Sequence, residues 1–361
     1  MACPPRPSRS ANLGSSPPSP PPAGRRPSAA LALALGAVLA LAGCEAHLPA
    51  PNEPSAFLER STAFVSSDRA QAFEVDPALH LLLWNDLADL AAAGQDGVAT
   101  VGSVSVLGQF RLLSGESTPL RIPTYEPRVK LQVFDRLSVA RTPDEPPEVV
   151  LAALELFLGH RSNGQDACAL ANHERIGGSD FACVPTTDPP DTALDTRSGS
   201  FTTNYVGLGA GGQWIGPRAA GGLPSFLAAL HASSEWNLGC DLGACMSNRL
   251  RRRYGAALLR WSVEGELPAL GRLPLPGVGV DLGLRAGVSG VMHAAAAEHE
   301  PFGEVSLEVA VAGRPRRSGL TTALFLRRHQ GSDPLNIRFE ERLDVWIVGF
   351  SFEPATFRAT R

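Results

Sequence analysis

The sequence predicts an all-β fold, a transmembrane antiparallel β-barrel of about twelve strands, in an exported bacterial chain. Three observations predict it: an export-type N-terminus, a period-two alternation that starts near Val98, and turn residues separating the alternating runs. The runs are about ten residues long and gather their charges on one face, as the strands of a membrane barrel do.

At the N-terminus, Arg25 and Arg26 precede an apolar run, Ala29 to Leu41, which ends in Leu41-Ala42-Gly43-Cys44. A membrane-spanning helix needs about 20 apolar residues, so this shorter run reads as a processing segment covering residues 1–43. The last four residues look like a lipoprotein box, in which Cys44 becomes the lipidated first residue; ordinary signal cleavage near the same place is the other reading. Both export the chain. Glu45 follows the cysteine, where an aspartate would argue for retention at the inner membrane.

Residues 44–96 read as a tether, Pro49 to Pro54, followed by a run from Ala78 to Ala93 with the spacing of a short amphipathic helix. Residues 97–352 read as the barrel. In Tyr125 to Phe134, Tyr125, Pro127, Val129, Leu131 and Val133 share one face, while Glu126, Arg128, Lys130 and Gln132 share the other. Val305, Leu307, Val309 and Val311 alternate with Glu304, Ser306 and Glu308, and Leu282 and Leu284 flank the inward candidates Asp281 and Arg285. A water-soluble sandwich would alternate too. Export favours the membrane form, and hydrocarbon requires every backbone group to be paired, so a sheet that spans must close. Phe352 supplies the terminal aromatic that such barrels often carry, but a tail, residues 353–361, follows it without a physical account.

The formal net charge is −4, with no basic field to attract nucleic acid, and no glycine-rich phosphate loop follows a strand. Nucleotide chemistry and nucleic-acid partners are excluded on that ground. Setting aside Cys3 in the signal and Cys44 leaves Cys168, Cys183, Cys240 and Cys245, which suit an oxidising compartment and allow three pairings. Local pairing, Cys168 with Cys183 and Cys240 with Cys245, closes the shortest loops. There is no CxxC and no Cys/His metal spacing.

Val149 to Gly164 carries the chemistry. Its even positions Val150, Ala152, Leu154, Leu156 and Leu158 continue into His160 and Ser162, whereas Glu155 and Arg161 fall on the odd, lumen-suited face. His160 and Ser162 therefore share the lipid-facing side. An imidazole beside a hydroxyl can take its proton during attack on an ester and return it to the leaving alcohol. The bare pair also fits a plainer reading, two polar residues at headgroup level near a strand end.

His160-Arg161-Ser162-Asn163-Gly164 resembles the hallmark of the outer-membrane phospholipase A family. Upstream, Ser117-Thr118-Pro119-Leu120-Arg121 and Thr124-Tyr125-Glu126-Pro127 resemble that family's serine-rich loop and Tyr-Glu-Pro strand, in the same order. The resemblance covers roughly Gly97 to Phe352 and is specific around these motifs. It implies an ester hydrolase of membrane phospholipids, with Ser162 as nucleophile, His160 as general base and acid, and the Gly164 backbone N–H as oxyanion donor. It further implies an asparagine on the next strand that orients the histidine. Ser200-Phe201-Thr202-Thr203-Asn204-Tyr205 fits, and Asn204 shares its face with Thr202, Val206 and Leu208. Alone, Asn204 reads equally as a loop-end polar residue.

The resemblance also implies a calcium ion held by Ser117, Asp195 and Ser198, and a homodimer that completes the cleft. The outer membrane is the implied location. The chain departs from the family at an insertion, about 166 to 194, that holds Cys168 and Cys183 and makes Asp166, Asp188 and Asp191 competing ligands; Gln165 stands where a basic residue is expected. The insertion reads either as a disulfide-closed cap or as a tolerated surface loop. Two other functions compete with phospholipase: a calcium-independent lipid A deacylase, and a non-catalytic barrel that keeps the motif. Tyr125-Glu126-Pro127 and Gly164 favour phospholipase.

Overall fold

The period-two runs fold as long strands whose hydrogen bonds close into a ring. The computed structural model describes residues 44–47, 57–67, 71–113, 120–140, 146–165, 168–176, 182–186, 193–195, 199–218, 223–238, 248–275, 278–293, 303–315, 321–332, 342–353 and 355–359. The expected signal, residues 1–43, and the expected tether, Pro49 to Pro54, lie outside them, as do Cys240 and Cys245.

In chain order the strands are β1 (Cys44–His47), β2 (Ser61–Ser66), β3 (Gln71–Asp76), β4 (Ala78–Asn85), β5 (Gly97–Leu113), β6 (Leu120–Val139) and β7 (Glu148–Ser162). A small hairpin, β8 (His173–Ile176) and β9 (Ala182–Pro185), follows. Then come β10 (Thr202–Ile215), β11 (Leu227–Asn237), β12 (Ala257–Leu275), β13 (Val278–His293) and β14 (Gly303–Pro315). The last are β15 (Thr322–Ser332), β16 (Arg342–Phe352) and β17 (Ala355–Ala359).

From β5 the ring runs through β6, β7 and β10 to β16 in order, then through β2 and β3 back to β5, antiparallel at every step. β3 and β4 run on across Pro77 and both pair with β5, at Val75↔Phe110 and Ala78↔Leu107, so they act as one stave. The result is a closed 12-strand barrel.

Its polarity is inside out. On β7, Leu154 and Leu158 are 66% and 54% exposed, whereas the intervening Glu155 and Phe157 and the following Arg161 are buried. On β6, Val129, Leu131 and Val133 face out while Arg128, Lys130 and Gln132 are buried. Asp281 and Arg285 on β13 are buried, and Val305 to Val311 on β14 are exposed at the alternate positions. A soluble sandwich would bury the opposite face, so the water-soluble reading fails; the apolar wall faces lipid, as in outer-membrane barrels.

Charges fill the lumen and pair there, because an unpaired buried charge is costly. Arg161 lies between Glu126 and Glu235, at 2.9 Å from each, and Arg260 reaches Glu235 at 2.6 Å. Residues Phe57 to Arg60 enter this network: Lys130 Nζ donates to Phe57 O at 2.9 Å, Arg128 pairs with Glu59, and Arg60 pairs with Glu264 at 2.6 Å.

Two boundaries differ from the sequence reading. The helix expected over Ala78 to Ala93 is only Asp86–Ala92, seven residues capped by Asn85, whose Oδ1 accepts from Ala88 N–H. Ala78 to Asn85 is a strand with Ala78, His80 and Leu82 inward and Leu79 and Leu83 outward; with leucine on both faces, its apolar spacing mimics a helix. The barrel therefore begins at Ser61 rather than near residue 97. The C-terminal tail contributes β17, which pairs antiparallel with β1 and parallel with β4.

Candidate active site

The site forms where β7 ends between β6 and β10. Antiparallel register sets Asn204 directly opposite His160, Thr202 opposite Ser162 on one side, and Tyr125 opposite Ser162 on the other. The alternation places His160, Ser162 and Asn204 on the outward face, as their sequence phases predict.

His160 Nδ1 lies 2.8 Å from Asn204 Oδ1. An amide oxygen only accepts, so the proton of that bond sits on Nδ1. Nε2 then carries the lone pair a general base needs. Ser162 Oγ accepts the Gly164 N–H at 3.2 Å, and among the described residues no hydrogen bond joins it to His160.

Gly164 has φ of +67°, a left-handed conformation that glycine adopts without strain. This turn aims its N–H back toward Ser162, and a Cβ there would touch only the Tyr125 ring, at 3.5 Å. The Gly164 N–H thus lies on the same side of the turn as the Ser162 hydroxyl.

Behind the outward residues, the intervening Arg161 is fully buried and locked by Glu126 and Glu235, with its guanidinium 4.8 Å from the Tyr205 ring centre. Tyr205 also donates its hydroxyl hydrogen to Glu126. This lattice fixes the strand ends that carry His160 and Asn204. Glu126 is the glutamate of the Tyr-Glu-Pro run, so that motif has a structural meaning beyond sequence likeness: Tyr125 faces out beside Gly164 and Glu126 faces in to hold Arg161.

The insertion folds as the β8–β9 hairpin, braced by a Cys168–Cys183 disulfide with a Cα–Cα distance of 5.7 Å. Its two limbs pair at Leu170↔Leu194, and Ala169 and Leu194 pack against Phe201, Leu250, Tyr254, Leu258 and Val291. A helix, Asn248–Tyr254, supplies two of those side chains. The described residues at the two ends of the insertion are thus packed onto the barrel's residues.

Of the expected calcium ligands, Asp195 is described and sits in this limb; its N–H donates to Ala169 O and its O accepts from Gly199 N, each at 2.9 Å. Ser117 and Ser198 lie outside the described residues, as do Asp166, Asp188 and Asp191. Among the described residues no group of three His, Cys, Asp or Glu side chains gathers as a metal cage. Sequence reasoning assigned no role to Asn163, which is fully buried and makes four hydrogen bonds at the root of the turn. Its odd position, on the inward phase between Ser162 and Gly164, was the available signal.

No family model matches the chain, and no curated protein matches it. Among solved structures it is similar to the β domain of the Bordetella autotransporter BrkA, at 13% identity and a TM-score of 0.34, covering 81% of this chain and 95% of that one. It is also similar to OmpT, an outer membrane protein of Vibrio cholerae, in its trimer form, at 10% identity and a TM-score of 0.31, with 81% and 95% covered. Scores this low carry no weight for function, and the barrel stands on its own strand pairing. Ring closure and inverted polarity make the chain an outer-membrane β-barrel.

Proposed function

We propose that the chain hydrolyses acyl esters of membrane phospholipids, with the reaction on the barrel's lipid-facing wall. The observation that carries the reading is the His160–Asn204 hydrogen bond of 2.8 Å on that wall, with Ser162 on the same face and the Gly164 N–H directed at its oxygen. Lipid-facing polar residues are disfavoured unless they are used, and here three of them are positioned by register. In the reaction, Ser162 Oγ attacks the ester carbonyl carbon while His160 Nε2 takes its proton, and the Gly164 N–H donates to the resulting oxyanion. The carbonyl–glycerol C–O bond then breaks and His160 returns the proton to the leaving oxygen. Water repeats the sequence on the acyl-serine, releasing a fatty acid and restoring Ser162. Acyl chains lie along Leu154, Leu156 and Leu158, which are exposed in line below His160.

Asp195, with Ser117 and Ser198, which lie outside the described residues, would hold calcium, a hard cation that would supply positive charge to stabilise the negative charge developing in the reaction. The active form is a homodimer in this reading. The test is fatty-acid release from phosphatidylcholine mixed micelles by the refolded protein, wild type against Ser162→Ala, with calcium and with chelator. Calcium-dependent release that vanishes in Ser162→Ala supports the proposal. Absence of release from a folded wild-type barrel rejects it, and lipopolysaccharide deacylation is then measured on the same preparation.

A further inference from the structure

Between the nucleophile and the oxyanion donor stands a side chain that neither step uses. Asn163 is fully buried and all its amide bonds run to the backbone across the turn. Its Nδ2 donates to Gly199 O at 2.7 Å, and its Oδ1 accepts from Phe201 N at 2.9 Å and from Gln165 N at 3.2 Å. Its own N–H donates to Phe201 O at 2.9 Å. The residue therefore ties the segment on either side of Gly164 to the limb that returns from the disulfide-braced insertion. That limb is itself packed tightly: a Cβ on Gly199 would fall 2.5 Å from Asp195 O and 3.2 Å from Ala169 Cα.

We propose that Asn163 is a positioning residue that holds the Gly164 N–H in its oxyanion-donating direction. This inference rests on the phospholipid-hydrolase reading for its kinetic consequence. The left-handed turn at Gly164 is conformationally permissive, since glycine imposes no φ of its own, so its orientation has to be imposed from outside. Asn163 does this from both sides, bonding the N–H of Gln165 beyond the glycine and the carbonyl of Gly199 across from it. The short amide side chain does this because its acceptor, with two lone pairs, and its donor sit on separate atoms and can reach opposite ways at once. The limb that Asn163 grips also carries Asp195, so the oxyanion turn and the implied calcium aspartate share one anchor through Gly199.

The experiment uses the full-length refolded protein, comparing wild type, Asn163→Ala and Asn163→Asp. Two readouts are taken: kcat and KM on mixed micelles, and the hydrogen-exchange rate of the Gly164 amide. Misplacing an oxyanion donor lowers the transition-state term, so Asn163→Ala should lose about 10- to 100-fold in kcat with KM within about twofold, and Gly164 should exchange faster. Asn163→Asp keeps the accepted bonds and loses the donation to Gly199; it should fall between the two and serves if the alanine variant does not refold. Wild-type kcat together with wild-type exchange at Gly164 would overturn the inference. If the wild type hydrolyses no lipid, the functional reading falls, and the exchange rates alone then decide whether Asn163 holds the turn.

Discussion

Substituting Asn204 by alanine removes the one side-chain hydrogen bond that His160 makes among the described residues, at 2.8 Å. Two things follow for the imidazole: it can rotate, and its proton is free to move to Nε2, which then cannot accept the Ser162 proton. Asn204 is uncharged, so the loss is that of a neutral hydrogen bond, about 0.5–1.5 kcal/mol. At 1.36 kcal/mol per tenfold, this corresponds to a fall in kcat of about 2- to 12-fold, with little change in KM because the bond touches no substrate. A buried aspartate in the same role would cost far more, about 10⁴-fold on conversion to the amide, since it also stabilises the imidazolium. The assay is initial-rate hydrolysis of phosphatidylcholine mixed micelles by Asn204→Ala, Asn204→Asp and wild type. Wild-type kcat in Asn204→Ala would refute the orienting role. A loss as complete as that of Ser162→Ala would refute the magnitude, because orientation alone does not account for it.

Arg161→Ala leaves Glu126 and Glu235 buried without their shared cation, and the barrel should lose about 3–5 kcal/mol, seen as a lower urea midpoint in refolding titrations. Leu156→Arg puts a charge on the lipid-facing wall where Leu156 is 49% exposed; it should cost about 2–4 kcal/mol if that position lies near mid-bilayer, measured as a fall in refolding stability in lipid vesicles. Cys183→Ser opens the Cys168–Cys183 bridge, whose sequence separation is 15. That should cost about 3 kcal/mol in the insertion, read as proteolytic cleavage between β8 and β9 while the heat-modifiable barrel band on gels stays unchanged.

Much of this was legible in sequence because a membrane barrel is written in period two. The strand faces of Tyr125 to Phe134, of Val149 to Ser162 and of the Asn204 strand followed from alternation alone, and each holds in the fold. The local Cys168–Cys183 pairing also followed, because the shorter loop is the cheaper to close. What failed did so for a physical reason. Leu79, Leu81 and Leu83 alternate with Ala78, His80 and Leu82, so both faces of that strand are rich in apolar groups and its period is hidden; His80 alone marks the lumen side. The lumen course of Phe57 to Arg60 was equally hidden, because its partners Lys130, Arg128 and Glu264 are between 69 and 204 residues away and no local spacing encodes them. Asn163 lay inside the motif, but a role made of four backbone bonds across a turn shows only in three dimensions.

The central claim is that Ser162 is a nucleophile activated on the lipid-facing wall, and covalent trapping tests it without depending on headgroup or acyl preference. The refolded protein is treated in detergent with a long-chain alkyl fluorophosphonate, which captures an activated serine as fluoride leaves, and the adduct is placed by peptide mass mapping. The account expects one adduct on Ser162, lost in His160→Ala and slowed in Asn204→Ala. No adduct on Ser162 in a folded wild-type barrel, or equal labelling in His160→Ala, would contradict it.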